Sequence, residues 1–205
     1  MPPLKQLIDK HGAKLLYAAT IGALGLSFFG SVLNSRLLSK ESFGDWKYLQ
    51  NFIILISYLV NFGLYSSGGR LIAATNDAKK IRTYKGYLLY FAIGGLAVIL
   101  LTTLVVGFLF PRWLNASLFK LAILMFPLFL VNPLNFYFEA CYQGERKMLH
   151  MAIFRFVPPL TYVVLLYAFK SFSSGSIYYN AFLYYGSYFF IYLFLLWSDK
   201  PIFKK

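Results

Sequence analysis

The chain has 205 residues, of which 59% are hydrophobic, 20% aromatic and only 13% charged, against about 25% charged in an ordinary soluble domain. Its net charge of +13 comes from 20 Lys and Arg against 7 Asp and Glu. These charges sit between long apolar runs, so they read as topology signals of a membrane protein and exclude a simple nucleic-acid-binding reading.

A helix needs about 20 mostly apolar residues to cross the hydrocarbon, and only helices and closed barrels satisfy their backbone groups there. Six stretches qualify in whole or part: 15–37, 48–69, 87–110, 121–141, 151–169 and 177–197. The predicted fold is all-α and integral to the membrane, one transmembrane domain over residues 1–205. The first stretch follows a basic N-terminus as a signal peptide would. It is longer than the usual signal core of about 7–15 residues and lacks a clear cleavage site, so it reads as a retained helix. The third and sixth stretches carry no charge inside. Pro127 and Pro133 predict a bend in the fourth. Pro158 and Pro159 predict a kink in the fifth, whose charge-free part begins only after Arg155.

With the N-terminus inside, the inner segments hold fourteen Lys and Arg, Arg155 and the tail Lys200, Lys204 and Lys205 among them, and the outer segments hold six. Cytoplasmic segments carry the excess of Lys and Arg, so the expected topology is both ends inside. A five-helix chain would put the basic tail outside.

Polar residues in lipid are costly and face a bundle interior or a wet cavity. In helix 2, Asn51, Tyr58, Asn61 and Tyr65 share a face by spacing. Asn132, Asn135 and Glu139 do so in helix 4, and Asn180, Tyr184 and Ser187 in helix 6. Interhelical hydrogen bonding explains any one stripe; three together favour a hydrated central cavity. In helix 1, Ala19, Ala23, Ser27, Ser31 and Ser35 form a small-residue ridge suited to close packing. Arg36 lies beyond it, two residues and about 200° from Asn34; it reads either as an interfacial snorkelling residue or as a cavity cation. Glu139 is the acid deepest in the apolar segments and reads either as a cation ligand or as a partner of Arg146 or Lys147. The candidate cavity residues are therefore Arg36, Asn51, Tyr58, Asn61, Asn132, Asn135, Glu139 and Arg155.

Catalytic and cofactor signatures do not emerge. The single cysteine, Cys141, cannot form an internal disulfide and has no Cys or His at ligand spacing. The seven acids are scattered, with no DxxD or HExxH arrangement, and the sequence has no P-loop. The expectation is a protein that is not an enzyme and needs no cofactor or metal. Asn115-Ala116-Ser117 fits a glycosylation sequon, a short pattern that means little by itself.

Three segments carry a resemblance. The first is Ser35-Arg36-Leu37-Leu38-Ser39-Lys40-Glu41-Ser42-Phe43-Gly44-Asp45-Trp46. The second is Asn61-Phe62-Gly63-Leu64 followed by Arg70-Leu71-Ile72-Ala73. The third is Tyr142-Gln143-Gly144-Glu145-Arg146-Lys147. In order and spacing over about residues 15–150 they resemble polysaccharide flippases of the multidrug/oligosaccharidyl-lipid/polysaccharide exporter superfamily. The resemblance implies translocation of undecaprenyl-diphosphate-linked oligosaccharide across the bacterial plasma (inner) membrane, for O-antigen-like or capsule-like surface polysaccharide. It gives Arg36 a candidate role in meeting the diphosphate, for which a guanidinium is suited. The family has 12–14 helices in two lobes related as a parallel repeat, so these six resemble the N-terminal lobe. That implies a truncated or split product, completed by a second-half subunit or a homodimer. The expected partners are the lipid-linked oligosaccharide and membrane lipids, with no nucleic acid. The competing readings are a non-transporting scaffold or remnant subunit of a polysaccharide assembly system, and a glycan-modifying transferase.

Overall fold

The computed structural model describes residues 4–170 and 175–198, with side chains described from Gly12 onward. Over these residues the protein is an all-α bundle. Helix α1 is Leu4–Leu37, α2 Lys40–Asn61, α3 Leu64–Ala73 and α4 Ala78–Leu109. Then come α5 (Ala116–Met125), a 3₁₀ turn (Phe126–Leu130), α6 (Val131–Gly144), α7 (Met148–Ala168) and α8 (Ile177–Ser198).

Local chemistry sets the ends. Ser39, Asp77 and Asn115 cap α2, α4 and α5, each accepting a backbone N–H from the first turn. The sequon asparagine is thus a helix cap. Between α2 and α3 the chain turns at Phe62 (φ 29°) and Gly63 (φ 80°). The second is a left-handed conformation that glycine adopts without a Cβ penalty.

Five helical runs are long and apolar enough to cross a membrane: Gly12–Leu37, Ala78–Leu109, Ala116–Gly144, Met148–Ala168 and Ile177–Ser198. The pair α2–α3 passes only when taken together and bends by 53° at its break, which makes six if it is one span. The sequence-based reading drew this region as an unbroken helix over 48–69; the Phe62–Gly63 turn divides it. The expected bend in the fourth span is the 3₁₀ turn, with Pro127 in its first positions. Helix α7 runs through Pro158 and Pro159, both buried.

Two helices greatly exceed a hydrocarbon layer of about 30 Å. Helix α1 has 34 residues and α4 has 32, or about 50 Å each at 1.5 Å per residue. Arg155, counted with the inner-edge charges, lies two turns inside α7. The bias then stands at thirteen against six, still toward an inner N-terminus. The basic tail Lys200, Lys204 and Lys205 is outside the described residues.

Helix α6 is the centre of the bundle, with nine of its fourteen residues buried. Trp46, Leu49 and Ile53 of α2, Ile99 of α4 and Tyr185 and Tyr192 of α8 complete the same core. Helix α1 is peripheral: only 6% of its apolar window is buried, against 44% for the span containing α6. Its main neighbour is α7. There the close approach is made at glycine, since a Cβ on Gly22 would lie 2.8 Å from the Phe156 ring. Of the expected small-residue ridge, Ser27 and Ser31 line a small chamber beside α7.

Candidate functional site: a polar furrow between the helices

Three chambers follow one another along α2. The outer one, about 70 Å³, lies among α1, α2, α7 and α8 and is lined by Asn34, Lys47, Gln50 and Tyr162. The middle one, about 260 Å³, lies among α2, α6 and α8 and carries Tyr58, Asn132, Asn135, Tyr188 and Tyr192. The inner one, about 570 Å³, lies among α2, α3 and α6 and carries Tyr58, Asn61, Tyr65, Arg70, Glu139 and Gln143. Tyr184 and Tyr188 belong to both outer and middle chambers, and Tyr58 and Phe136 to both middle and inner ones. Neighbouring chambers thus share wall residues, and the three line up as a furrow from Lys47 to Arg70. Tyr58, 61% exposed, marks its open flank.

The furrow arises from helical periodicity. On α6, Asn132, Asn135, Glu139 and Gln143 advance by three, four and four residues and stay on one face. On α8, Tyr184, Tyr188 and Tyr192 advance by four. On α2 the stripe runs through Gln50, Ile54, Ser57, Tyr58 and Asn61. It crosses the bend to Tyr65, whose backbone N–H donates to Asn61 Oδ1 at 3.5 Å.

Most polar groups in the furrow are tied. The Tyr192 hydroxyl donates to Asn135 Oδ1 at 3.0 Å. Lys47 Nζ donates to Gln50 Oε1 at 3.2 Å, and the Asn34 amide donates to the Tyr162 hydroxyl. Arg155 forms an ion pair with Glu139 and donates to Thr20 Oγ1 at 3.2 Å, joining α7 to α6 and to α1. Some groups stay open. The Asn34 carbonyl oxygen and the Tyr65 hydroxyl are buried without a hydrogen-bond partner, one lining the outer chamber and one the inner. Buried polar atoms are rarely left so. The Arg70 side chain, exposed at the inner mouth, has no partner among the described residues.

Of the sequence-predicted residues, Tyr58, Asn61, Asn132, Asn135 and Glu139 line the furrow, and Arg155 reaches it through Glu139. Arg36 and Asn51 line none of the chambers; both side chains are exposed. Helix geometry gives the reason. Arg36 is about 200° from Asn34 and Asn51 about 100° from Gln50, and it is Asn34 and Gln50 that face inward. Glu139 takes Arg155 as its partner instead of Arg146 or Lys147; Lys147 pairs with Glu145. Sequence reasoning missed Lys47, Gln50, Tyr188, Tyr192 and the mouth position of Arg70. Starting the α2 stripe at Lys47, three residues before Gln50, and noting the four-residue step on α8, finds the first four.

Beneath the inner chamber lies a second ionic cluster. Lys85 of α4, almost wholly buried, contacts Glu145 Oε1 at 2.8 Å, and Lys147 contacts Oε2 at 2.9 Å. Burial pushes the Glu145 carboxyl up, but bonding to Lys85 and Lys147 outweighs it and holds the group below its ordinary value. Beside it α3 and α6 nearly touch: a Cβ on Gly144 would meet the Gly69 carbonyl oxygen at 2.7 Å. Among the described residues no three His, Cys, Asp or Glu side chains come together to hold a metal ion.

A family model described as "polysaccharide biosynthesis protein" matches residues 11–205. The chain belongs to this polysaccharide biosynthesis protein family. No curated protein and no solved structure matches it. Among the described residues, the three chambers gather polar side chains of α2, α6 and α8 inside the apolar bundle.

Proposed function

We propose that this protein translocates an anionic, lipid-linked oligosaccharide from the inner to the outer leaflet of the bacterial plasma membrane. It does so without making or breaking covalent bonds. The ligand class is an undecaprenyl-diphosphate-linked oligosaccharide destined for surface polysaccharide of the O-antigen or capsule kind. The observation that carries this reading is the furrow itself: three adjoining chambers ending at an arginine with no partner among the described residues, on the side that the charge bias makes cytoplasmic. Arg70 meets the diphosphate there by bidentate hydrogen bonding. The polar walls carry the glycan while the lipid tail stays in the bilayer. The furrow is open on one flank, so a second six-helix body, another copy or a separate lobe, closes it during transport.

The test is complementation of a flippase-deficient strain, with and without a candidate second lobe. Restored surface glycan, reduced by Arg70→Ala, supports the reading. Correctly inserted protein that restores nothing in either setting overturns it and favours a non-transporting scaffold.

A further inference from the structure

We infer that the middle chamber is a subsite for one uncharged sugar ring, the one joined to the diphosphate, and that it rejects an acidic sugar at that position. This rests on the transport reading above and deepens it.

The argument starts from what the chamber offers. Its polar side chains are Ser57, Asn132, Asn135 and tyrosines, and no Lys, Arg, Asp or Glu lines it. Amides and phenols suit sugar hydroxyls because both partners donate and accept, whereas an ammonium or guanidinium only donates. Asn135 spends its carbonyl oxygen on the Tyr192 hydroxyl, which leaves its two amide hydrogens directed to other acceptors. The Asn132 amide nitrogen makes a long 3.5 Å contact to the Phe129 carbonyl and lies beside the Tyr185 hydroxyl; both contacts use the nitrogen, which leaves the carbonyl oxygen to accept from a sugar hydroxyl. Tyr58 and Phe136, 5.3 Å apart edge to face, form the sill into the inner chamber. An aromatic face is electron-rich and attracts the polarised C–H face of a pyranose. A hydrocarbon tail here displaces water from both amides and leaves them without partners, which is costly.

The spacing places the diphosphate. Asn135 and Gln143 are eight residues apart on α6, about 12 Å along the axis, and Gln143 shares the inner mouth with Arg70. A diphosphate at Arg70 thus puts the adjoining sugar beside Asn135. The same geometry disfavours a carboxylated sugar. The nearest charge to the middle chamber along α6 is Glu139, one turn beyond Asn135, and its cation Arg155 is already engaged by it and by Thr20. A carboxylate entering the chamber finds no cation lining it to match its charge.

The experiment compares three soluble-tail probes on the purified protein in lipid nanodiscs by titration calorimetry: farnesyl diphosphate, farnesyl-diphosphate-N-acetylglucosamine and farnesyl-diphosphate-glucuronic acid. The neutral sugar probe is expected to bind about tenfold tighter than the bare diphosphate, as two added hydrogen bonds allow. The acidic probe is expected to bind no tighter than the bare diphosphate. Asn132→Ala and Asn135→Ala, checked for folding by thermal unfolding, remove the neutral sugar's advantage and leave the bare diphosphate unchanged. Asn132→Ala guards against loss of folding at Asn135, which supports Tyr192. Equal affinity for all three probes, or equal weakening of all three by the asparagine variants, overturns the subsite while the transport reading stands. Failure of the folded protein to bind any probe overturns both.

Discussion

The protein holds two carboxylate–cation pairs of the same chemistry in different surroundings. Lys85–Glu145, at the α6–α7 turn, has side chains only 3% and 15% exposed. Glu139–Arg155, in the furrow wall, has side chains 37% and 30% exposed. Two apolar helices in lipid gain no hydrophobic free energy by touching, so polar contacts and close packing decide how they assemble. The buried pair fixes α4 to the α6–α7 turn, close to where Gly144 and Gly69 let α3 approach. The half-exposed pair joins α6, α7 and α1 beside the chamber proposed to take the ligand, where it can be exchanged for contacts with that ligand. The difference separates what holds the bundle from what works in it.

The sharpest way to break this contrast is Lys85→Met. It leaves Glu145 with Lys147 alone, and loss of a buried partner costs about 3 kcal/mol. Thermal unfolding in detergent should show a large drop, with normal transport in whatever fraction remains folded. Stability equal to wild type would erase the distinction. Next comes Glu139→Gln. An exposed pair contributes at most about 1 kcal/mol, so unfolding should shift little. Arg155 then keeps Thr20 but loses its counter-anion at the wall of the inner chamber, and the uncompensated cation should hold the anionic ligand, so transport should fall about tenfold or more. Combining Glu139→Arg with Arg155→Glu restores the pair and should recover part of it.

A pH series sharpens the buried side. The folded carboxyl of Glu145 is held below its ordinary 4.5, so its contribution is complete above that pH. It is lost as pH falls below 4.5 through the lowered folded value. Wild type should therefore lose stability there more steeply than Glu145→Gln in parallel melts. The smallest effect belongs to Arg36→Ala: exposed and outside the chambers, it should change stability by less than about 0.5 kcal/mol and leave transport near normal in the complementation assay.

Much of this was legible in the sequence. Span composition and the loop charges gave the helical membrane fold, and three-four spacing on α6 gave the central wall of the furrow. The Phe62–Gly63 break was hidden because it interrupts an apolar run without interrupting its periodicity. Arg155 looked like a loop charge because its partner Glu139 lies on another helix, sixteen residues away. The α8 tyrosines were masked by number: with 17 Tyr in the chain, most read as lipid-facing bulk and interface belts. One-residue errors in phase had the largest cost, since Asn51 and Gln50 point about 100° apart.

The central claim is that a hydrated passage crosses this bundle along α2, and cysteine accessibility in native membranes tests it most directly. The single native cysteine is buried, so Cys141→Ala provides a clean background. In it, Gln50→Cys, Asn61→Cys and Asn132→Cys should react readily with a membrane-impermeant thiol reagent. Ile21→Cys and Leu59→Cys, at exposed apolar positions facing lipid, should not. Furrow cysteines no more reactive than the lipid-facing ones would contradict the account.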